Sequence, residues 1–223
     1  MSGRLIGAVH TNSFTFAGSD GAEYLSADGK WRYRVFLNSG NFVVESGGTR
    51  TAEYFSVTPQ RSRKQYNTLV VEALIIGGGG SGGRGGGGAG GVRKVVIYLT
   101  PGTYPVIVGS GGPSQATAGQ NGTKGNDSSF GGFSSAGGGY GAGNPGVAGG
   151  DGGSGGGTYS TLSTAGAGNV PYVNPPQGYN GGSANYANMG CGGGGASQAG
   201  GIPYNDGSYA VGGKGGDGTS AYP

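Results

Sequence analysis

Residues 69–91 read LVVEALIIGGGGSGGRGGGGAGG, and the junction between Ile76 and Gly77 within them decides the fold. The residues before the junction are apolar except for Glu72, a pattern typical of a central β-strand that is covered on both faces. The residues after it are almost all glycine. The interactions that can stabilise the chain therefore change at this junction, from burial of apolar side chains to interactions of the backbone.

The distribution of residue types along the chain supports this change. Of the 60 glycines, 8 lie in residues 1–76 and 52 lie in residues 77–223. Leu, Ile, Val and Phe are distributed the opposite way, with 28 in residues 1–108 and only 8 in residues 109–223. The N-terminal part can thus build a small apolar core. Composition alone would class the C-terminal part as disordered or fibrous.

The N-terminal part has the patterns of antiparallel β-structure. Alternating side chains over residues 31–37 predict a half-buried strand, and the turn residues 38–40 favour a hairpin with the strand that follows. Residues 92–108 predict a second hairpin, in which Pro101 and Gly102 suit the central positions of a type II turn. No window has a helical apolar period, so no α-helix is expected.

The glycine blocks require a different kind of order. Fixing the backbone costs about 1–2 kcal/mol per residue, and glycine lies at the upper end of that range. With so few large side chains, backbone hydrogen bonding is the only favourable contribution of sufficient size. A left-handed extended helix with three residues per turn directs its N–H and C=O groups outward, where neighbouring helices can pair with them. We therefore predict a polyglycine-II bundle, with a flexible glycine linker as the alternative.

The predicted protein is all-β and has three parts. Residues 1–30 form an attachment segment, residues 31–108 a small antiparallel β-sandwich-like part that includes the first glycine block, and residues 109–223 the polyglycine-II bundle. Segments rich in Tyr, Ser and Asn interrupt the blocks of the bundle. Recognition loops favour these residue types, because tyrosine gives a large contact area at low entropy cost. Alternatively, the tyrosines cover the sides of the bundle.

Charge and apolar runs argue against nucleic-acid and membrane proteins. The net charge is +3, and 11 of the 13 basic residues lie in residues 1–94, which leaves the glycine-rich part nearly neutral and without an electrostatic footprint for nucleic acid. No stretch approaches the roughly 20 apolar residues of a membrane span, and the N-terminus lacks the apolar core of a secretion signal. We expect no membrane insertion, and a protein that is soluble or assembled in a cytoplasm.

Residue types that carry catalysis are scarce. His10 is the only histidine and Cys191 the only cysteine, so neither a catalytic triad, nor a cysteine metal site, nor an internal disulfide is expected. The aspartates after residue 94 lie in glycine-rich turn contexts, where aspartate is common without any catalytic role. The sequence predicts no enzyme, no cofactor and no metal.

Four segments in order resemble the glycine-rich domain of bacteriophage tail-fibre proteins. They are Phe42-Val43-Val44, LVVEALIIGGGGSGGRGGGGAGG at 69–91, VRKVVIYLTPGTYPVIVGSGG at 92–112, and GNDSSFGGFSSAGGGYGAG at 125–143. The similarity extends to the glycine-rich adhesins at the tips of phage tail fibres. It covers roughly residues 31–157, and residues 158–223 match no fixed motif.

The resemblance implies a virion protein at the tail-fibre tip, assembled in the host cytoplasm. In such adhesins, the loops between glycine helices contact a host outer-membrane protein or a surface glycan. The other implied partners are tail-fibre or virion proteins, and the implied oligomer is a homotrimer, or a monomer that caps one. The receptor-binding candidates that follow by position are Tyr159, Tyr172, Tyr179, Tyr186, Met189, Tyr204 and Tyr209.

Two other functions remain open at this point. The first is a purely structural virion component, such as a fibre joint, a tail cap or a capsid decoration, which would bind no receptor. The second is a glycine-rich surface or nucleic-acid-associated protein of a cell. The single GGRGG segment around Arg84 resembles an RNA-binding repeat, but only one copy is present.

Overall fold

The structure is a computed structural model. It describes residues 4–10, 20–28, 31–45, 50–52, 64–66, 68–117, 119–145, 147–160, 163–184, 188–205, 207 and 209–220. Within these ranges the regular elements are all β-strands, and no α-helix is present. The predicted all-β class is therefore confirmed.

Thirteen strands are described, in chain order β1 (Arg4–His10), β2 (Ala22–Leu25), β3 (Trp31–Phe36), β4 (Gly40–Val44), β5 (Arg50–Ala52), β6 (Lys64–Tyr66), β7 (Leu69–Ile76), β8 (Val92–Leu99), β9 (Gly102–Ile107), β10 (Ser128–Phe130), β11 (Phe133–Ser135), β12 (Tyr204–Asn205) and β13 (Ala210–Val211). A five-stranded sheet has the order β2-β3-β1-β7-β8, and a four-stranded sheet has the order β11-β10-β9-β4. The pairs β5-β6 and β12-β13 form two small sheets, and every pairing is antiparallel.

The two larger sheets pack face to face around one apolar core. Strand β7 contributes every second residue from Leu69 to Ile75 to this core, and the intervening residues are half-buried on the other face. The four-stranded sheet contributes Phe42 and Phe130, whose rings meet edge to face with centroids 5.4 Å apart. Burial of these side chains stabilises the sandwich, at about 1.5–3 kcal/mol for each large apolar side chain.

Both predicted hairpins are wrong, because each turn leads from one sheet to the other. Strand β3 pairs with β1 and β2, whereas β4 pairs with β9. Likewise β8 pairs with β7, whereas β9 pairs with β4 and β10. Across the core, β10 and β11 of the smaller sheet contact β7 and β8 of the larger one. A short turn between two strands is compatible with both arrangements, and here other strands occupy the ladder positions on both sides of β3 and of β9.

The glycine blocks hydrogen-bond to one another with a three-residue period. The N–H groups of Gly77 and Gly80 donate to the carbonyls of Gly91 and Gly88, whereas those of the next residues, at 78 and 81, donate to the carbonyls of residues 126 and 123. The carbonyls of residues 78 and 81 accept from Gly138 and Gly141. Successive residues thus face different neighbours, and every third residue faces the same one. This is the hydrogen-bonding pattern of packed polyglycine-II helices.

Close approach between backbones explains why these positions are glycine. A Cβ at Gly139 would overlap the carbonyl oxygen of Gly150, and one at Gly156 would overlap the carbonyl oxygen of Tyr140. Neither glycine has a positive φ. Glycine is required at these positions for its missing side chain and not for left-handed backbone geometry. The first block, residues 77–91, lies within this bundle, in contact with the later blocks.

Candidate functional site

The bundle has two ends, and the sandwich adjoins one of them. Strands β7, β9 and β11 lead into glycine segments at this end, and β8 and β10 start from it. There the N–H of Gly91 donates to the carbonyl of Ala136 at 2.8 Å, and the N–H of Gly77 donates to the carbonyl of Gly91 at 2.9 Å. We call this the proximal end, and we call the opposite end, away from the sandwich, the distal end.

The proximal end is closed by a loop over residues 169–177. Gln177 is buried, and its Oε1 accepts from the N–H of Ala136 while its Nε2 donates to the carbonyl of Pro171, both at 2.8 Å. The backbone carbonyl of Gln177 accepts from Val92, the first residue of β8. Asn169 organises the loop, because its Oδ1 accepts from the N–H of Val173. This loop thus ties the bundle to the sandwich.

The distal end is where glycine segments reverse direction away from the sandwich. The first reversal is at Arg84, whose N–H donates to the carbonyl of Ala142 at 2.8 Å. A Cβ at Gly190 would overlap the Arg84 carbonyl, which places the start of residues 190–195 beside this reversal. The N–H of Gly213 donates to the carbonyl of Gly190, so the segment that follows residues 202–211 starts at the same end.

Tyr159 and Arg84 form a cation–π pair at the distal end. The guanidinium carbon of Arg84 lies 4.8 Å from the centroid of the Tyr159 ring. Tyr159 is half-buried and Arg84 is exposed. Such pairs contribute about 0.5–1 kcal/mol at exposed sites. The pair presents a positive charge over an aromatic ring.

Thr158, the residue before Tyr159, anchors two neighbouring segments. It is fully buried, and its Oγ1 accepts from the N–H of Ala184 at 2.8 Å and lies 3.3 Å from the Cys191 Sγ. Burial raises the pKa of the Cys191 thiol above its ordinary value, and hydrogen bonds with Thr158 oppose part of that rise. The thiol is therefore kept protonated, as a structural and unreactive group.

Tyr204 and Tyr209 lie on the excursion over residues 202–211 at the distal end. Strands β12 and β13 pair Tyr204 with Val211, and Asn205 Oδ1 accepts from the N–H of Gly207 at 2.9 Å. Tyr204 is 56% exposed and Tyr209 is 74% exposed. Ile202 precedes them and is exposed as well. The excursion thus exposes two aromatic side chains and one aliphatic side chain.

The structure separates the other predicted site residues. Met189 is half-buried at the distal end, next to Gly190, and follows Asn188, which has a φ of 60°. Tyr172 is 80% exposed but lies in the proximal loop, and Tyr179 lies near the proximal end, where its N–H donates to the carbonyl of Gly195. Tyr186 lies outside the described residues.

Tyr159, Met189, Tyr204 and Tyr209 are thus at the distal end, and Tyr172 and Tyr179 are not. Sequence reasoning missed Arg84 as a member of the distal surface. The available signal was its position near the middle of the block 77–91, where two hydrogen-bonded antiparallel segments must be joined.

The described residues contain no group of three or more His, Cys, Asp or Glu side chains that could hold a metal ion. Over the same part of the chain, no helix is long and apolar enough to cross a membrane.

A family model described as a glycine-rich domain matches residues 49–223. No curated protein and no solved structure matches the chain.

Proposed function

The chain belongs to the glycine-rich domain family, and we propose that it is a phage virion protein that binds the host cell surface from the tip of a tail fibre. The observation that carries the proposal is the exposure of two tyrosines on one loop at the distal end of the bundle, the end away from the sandwich. Tyr204 and Tyr209 lie there, together with the pair of Arg84 and Tyr159. The resemblance of residues 31–157 to tail-fibre proteins supports the same function.

The arrangement of the molecule suits such a role. A bundle cross-linked by backbone hydrogen bonds is a rigid support, and loops held on a rigid support are common sites of recognition. The described part of the sandwich adjoins the proximal end and lies away from the distal loops. In this proposal, the sandwich end faces the other fibre or virion proteins and the distal end faces the host.

The proposed partner at the distal end is an outer-membrane protein or a surface glycan. Tyrosine supplies both a flat apolar ring and a hydroxyl, which suits either partner. The Arg84 guanidinium adds a donor for carboxylate or phosphate groups, which the envelope of a bacterial host provides. The proposed receptor-binding residues are therefore the candidates at the distal end: Tyr159, Met189, Tyr204 and Tyr209.

A matched pair of double variants tests the proposal. Tyr204→Ala with Tyr209→Ala removes two exposed rings from the distal end, and Tyr172→Ala with Tyr98→Ala removes two exposed rings elsewhere. We expect the distal variant to bind cells of a susceptible strain at least about tenfold more weakly, because tyrosines at the centre of an interface commonly contribute more than 1 kcal/mol each. The control variant should bind like the wild type.

The same proteins should be compared as competitors of infection. The wild-type protein and the control should reduce plaque formation, and the distal variant should not. If the wild-type protein neither binds cells nor competes, the proposal is wrong. A purely structural virion role would then be favoured, particularly if the distal variant still assembled into particles.

A further inference from the structure

A groove runs along the side of the bundle and reaches the distal end, where Arg84 lines it. Its volume is about 640 Å³, and its walls are almost entirely glycine backbone from four segments: 79–80, 86–89, 190–194 and 212–216. The segments 86–89 and 190–194 hydrogen-bond to each other and form the floor. The segments 79–80 and 212–216 form the two rims.

The floor carries unpaired backbone donors at the helical period. In residues 190–195, four residues donate their N–H groups to carbonyls of the bundle: Cys191, Gly192, Gly194 and Gly195. The N–H groups of Gly190 and Gly193 have no partner among the described residues. Since polyglycine-II has three residues per turn, these two N–H groups lie on the same face of the segment. Both residues line the groove.

The rim at residues 212–218 carries unpaired acceptors. The carbonyls of Gly212, Gly213, Gly215 and Gly216 accept no hydrogen bond from a described residue, whereas those of Lys214 and Asp217 accept from the bundle. Gly212 and Gly215 are exposed and Gly213 and Gly216 are half-buried, so a second chain can reach this rim. A floor of free donors beside a rim of free acceptors makes one face self-complementary.

The charged side chains of this rim leave its glycines accessible. The Lys214 Nζ donates to the Asp217 carboxylate at 2.7 Å, and both side chains are exposed. Residues three apart share a face of a polyglycine-II helix, so this ion pair occupies one face of the segment and the glycines occupy the other two. A Cβ at Gly215 would meet nothing within 4 Å. There is therefore room against this rim for another chain.

We propose that a second copy of this chain fills the groove. The segment 212–218 of each copy lies on the floor of the other, so that its free carbonyls accept from Gly190 and Gly193. A two-fold rotation makes both contacts at once, as in an isologous dimer. The mode of recognition resembles the addition of a strand to a sheet edge, with a polyglycine-II helix as the added element. This inference does not depend on the proposed receptor binding.

The test measures association by sedimentation velocity for the wild type and two leucine variants. Gly215→Leu places a side chain on the glycine face of the rim without a clash inside the monomer. Lys214→Leu places the same side chain one residue away, on the exposed face, and breaks only a surface ion pair. We expect a wild-type dimer, at least about tenfold weaker association for Gly215→Leu, and an unchanged dimer for Lys214→Leu.

Amide hydrogen exchange supplies a second readout. The amides of Gly190 and Gly193 should be protected in the wild-type dimer and should lose protection in Gly215→Leu. Those of Cys191 and Gly194, bonded within the bundle, should stay protected in every variant and so report that the monomer is folded. The inference is overturned if the wild type is monomeric, if it forms a trimer, or if Gly215→Leu associates like the wild type. A monomer that instead binds a free GGKGGDG peptide in the groove would also overturn it, in favour of another glycine-rich partner.

Discussion

Replacing one bundle glycine by alanine should destabilise the protein, and replacing another should do the reverse. A Cβ at Gly139 would overlap the carbonyl of Gly150 and lie 3.0 Å from the nitrogen of Gly156. Residue 150 must then move, which weakens two hydrogen bonds: from its N–H to the Tyr140 carbonyl, at 2.8 Å, and from Gly156 to its carbonyl, at 2.9 Å.

The size of this effect follows from those two hydrogen bonds. Each contributes about 0.5–1.5 kcal/mol net, and a buried group left without a partner costs about 1–3 kcal/mol. We therefore expect Gly139→Ala to lower the free energy of unfolding by about 2–4 kcal/mol. Gly218 is the matched control, since it has no positive φ and a Cβ there would meet nothing within 4 Å. Gly218→Ala should raise the free energy of unfolding by about 0.4–1 kcal/mol, because alanine restricts the unfolded chain.

Chemical unfolding of the wild type and both variants measures the two changes in the free energy of unfolding. The exchange of glycine amides monitors the same transition. The opposite signs are the decisive feature, because a general intolerance of alanine in the glycine-rich part would lower stability at both positions. Equal stability of Gly139→Ala and the wild type would refute the view that close backbone contacts hold the bundle together.

Three further predictions concern side chains at the two ends and in the sandwich. Gln177→Met should lower the free energy of unfolding by about 2–4 kcal/mol, because it leaves the Ala136 N–H and the Pro171 carbonyl unpaired; Gln198→Met, at an exposed position, should change it by less than about 0.5 kcal/mol. Since the pKa of Cys191 is raised by folding, the stability that its protonated thiol contributes is present below the unfolded pKa and is lost as pH rises through the folded pKa; unfolding curves of wild type and Cys191→Ala should therefore diverge in alkaline solution, and a parallel response would contradict the assignment. Phe130→Ala should cost about 3–5 kcal/mol in calorimetry, because it opens a cavity beside Phe42, and a loss under about 1 kcal/mol would mean that the site collapses.

The strands were easier to predict than their pairing. The apolar run at 69–76 indicated a central strand, and β7 does lie between β1 and β8. The turns at 38–40 and 100–102 predict hairpins, but local sequence identifies only a reversal of the chain and does not identify the ladder partners. Those partners come from distant segments, such as β1 for β3 and β4 for β9.

The candidate site was predictable in its residue types and not in its geometry. Composition indicated tyrosine-bearing segments between glycine blocks. The end of the bundle at which each segment lies depends on how many times the preceding chain has run from one end of the bundle to the other. Tyr172 and Tyr204 therefore look alike in sequence and lie at opposite ends. The pairing of Arg84 with Tyr159 joins residues far apart in the chain, and no local sequence pattern indicates it.

The three-residue period of the bundle constrains how such a protein can change in length. Insertion of one residue inside a glycine run such as 137–142 would rotate every following N–H and C=O group by a third of a turn, onto the wrong neighbour. Insertion of three residues would return each N–H and C=O group to the correct neighbour and would only lengthen the bundle. Segments beyond the ends of the runs, such as 202–211, carry no such constraint. In related sequences, glycine runs should therefore vary in steps of three while the segments between them vary freely, so that surface diversity accumulates without disturbing the support.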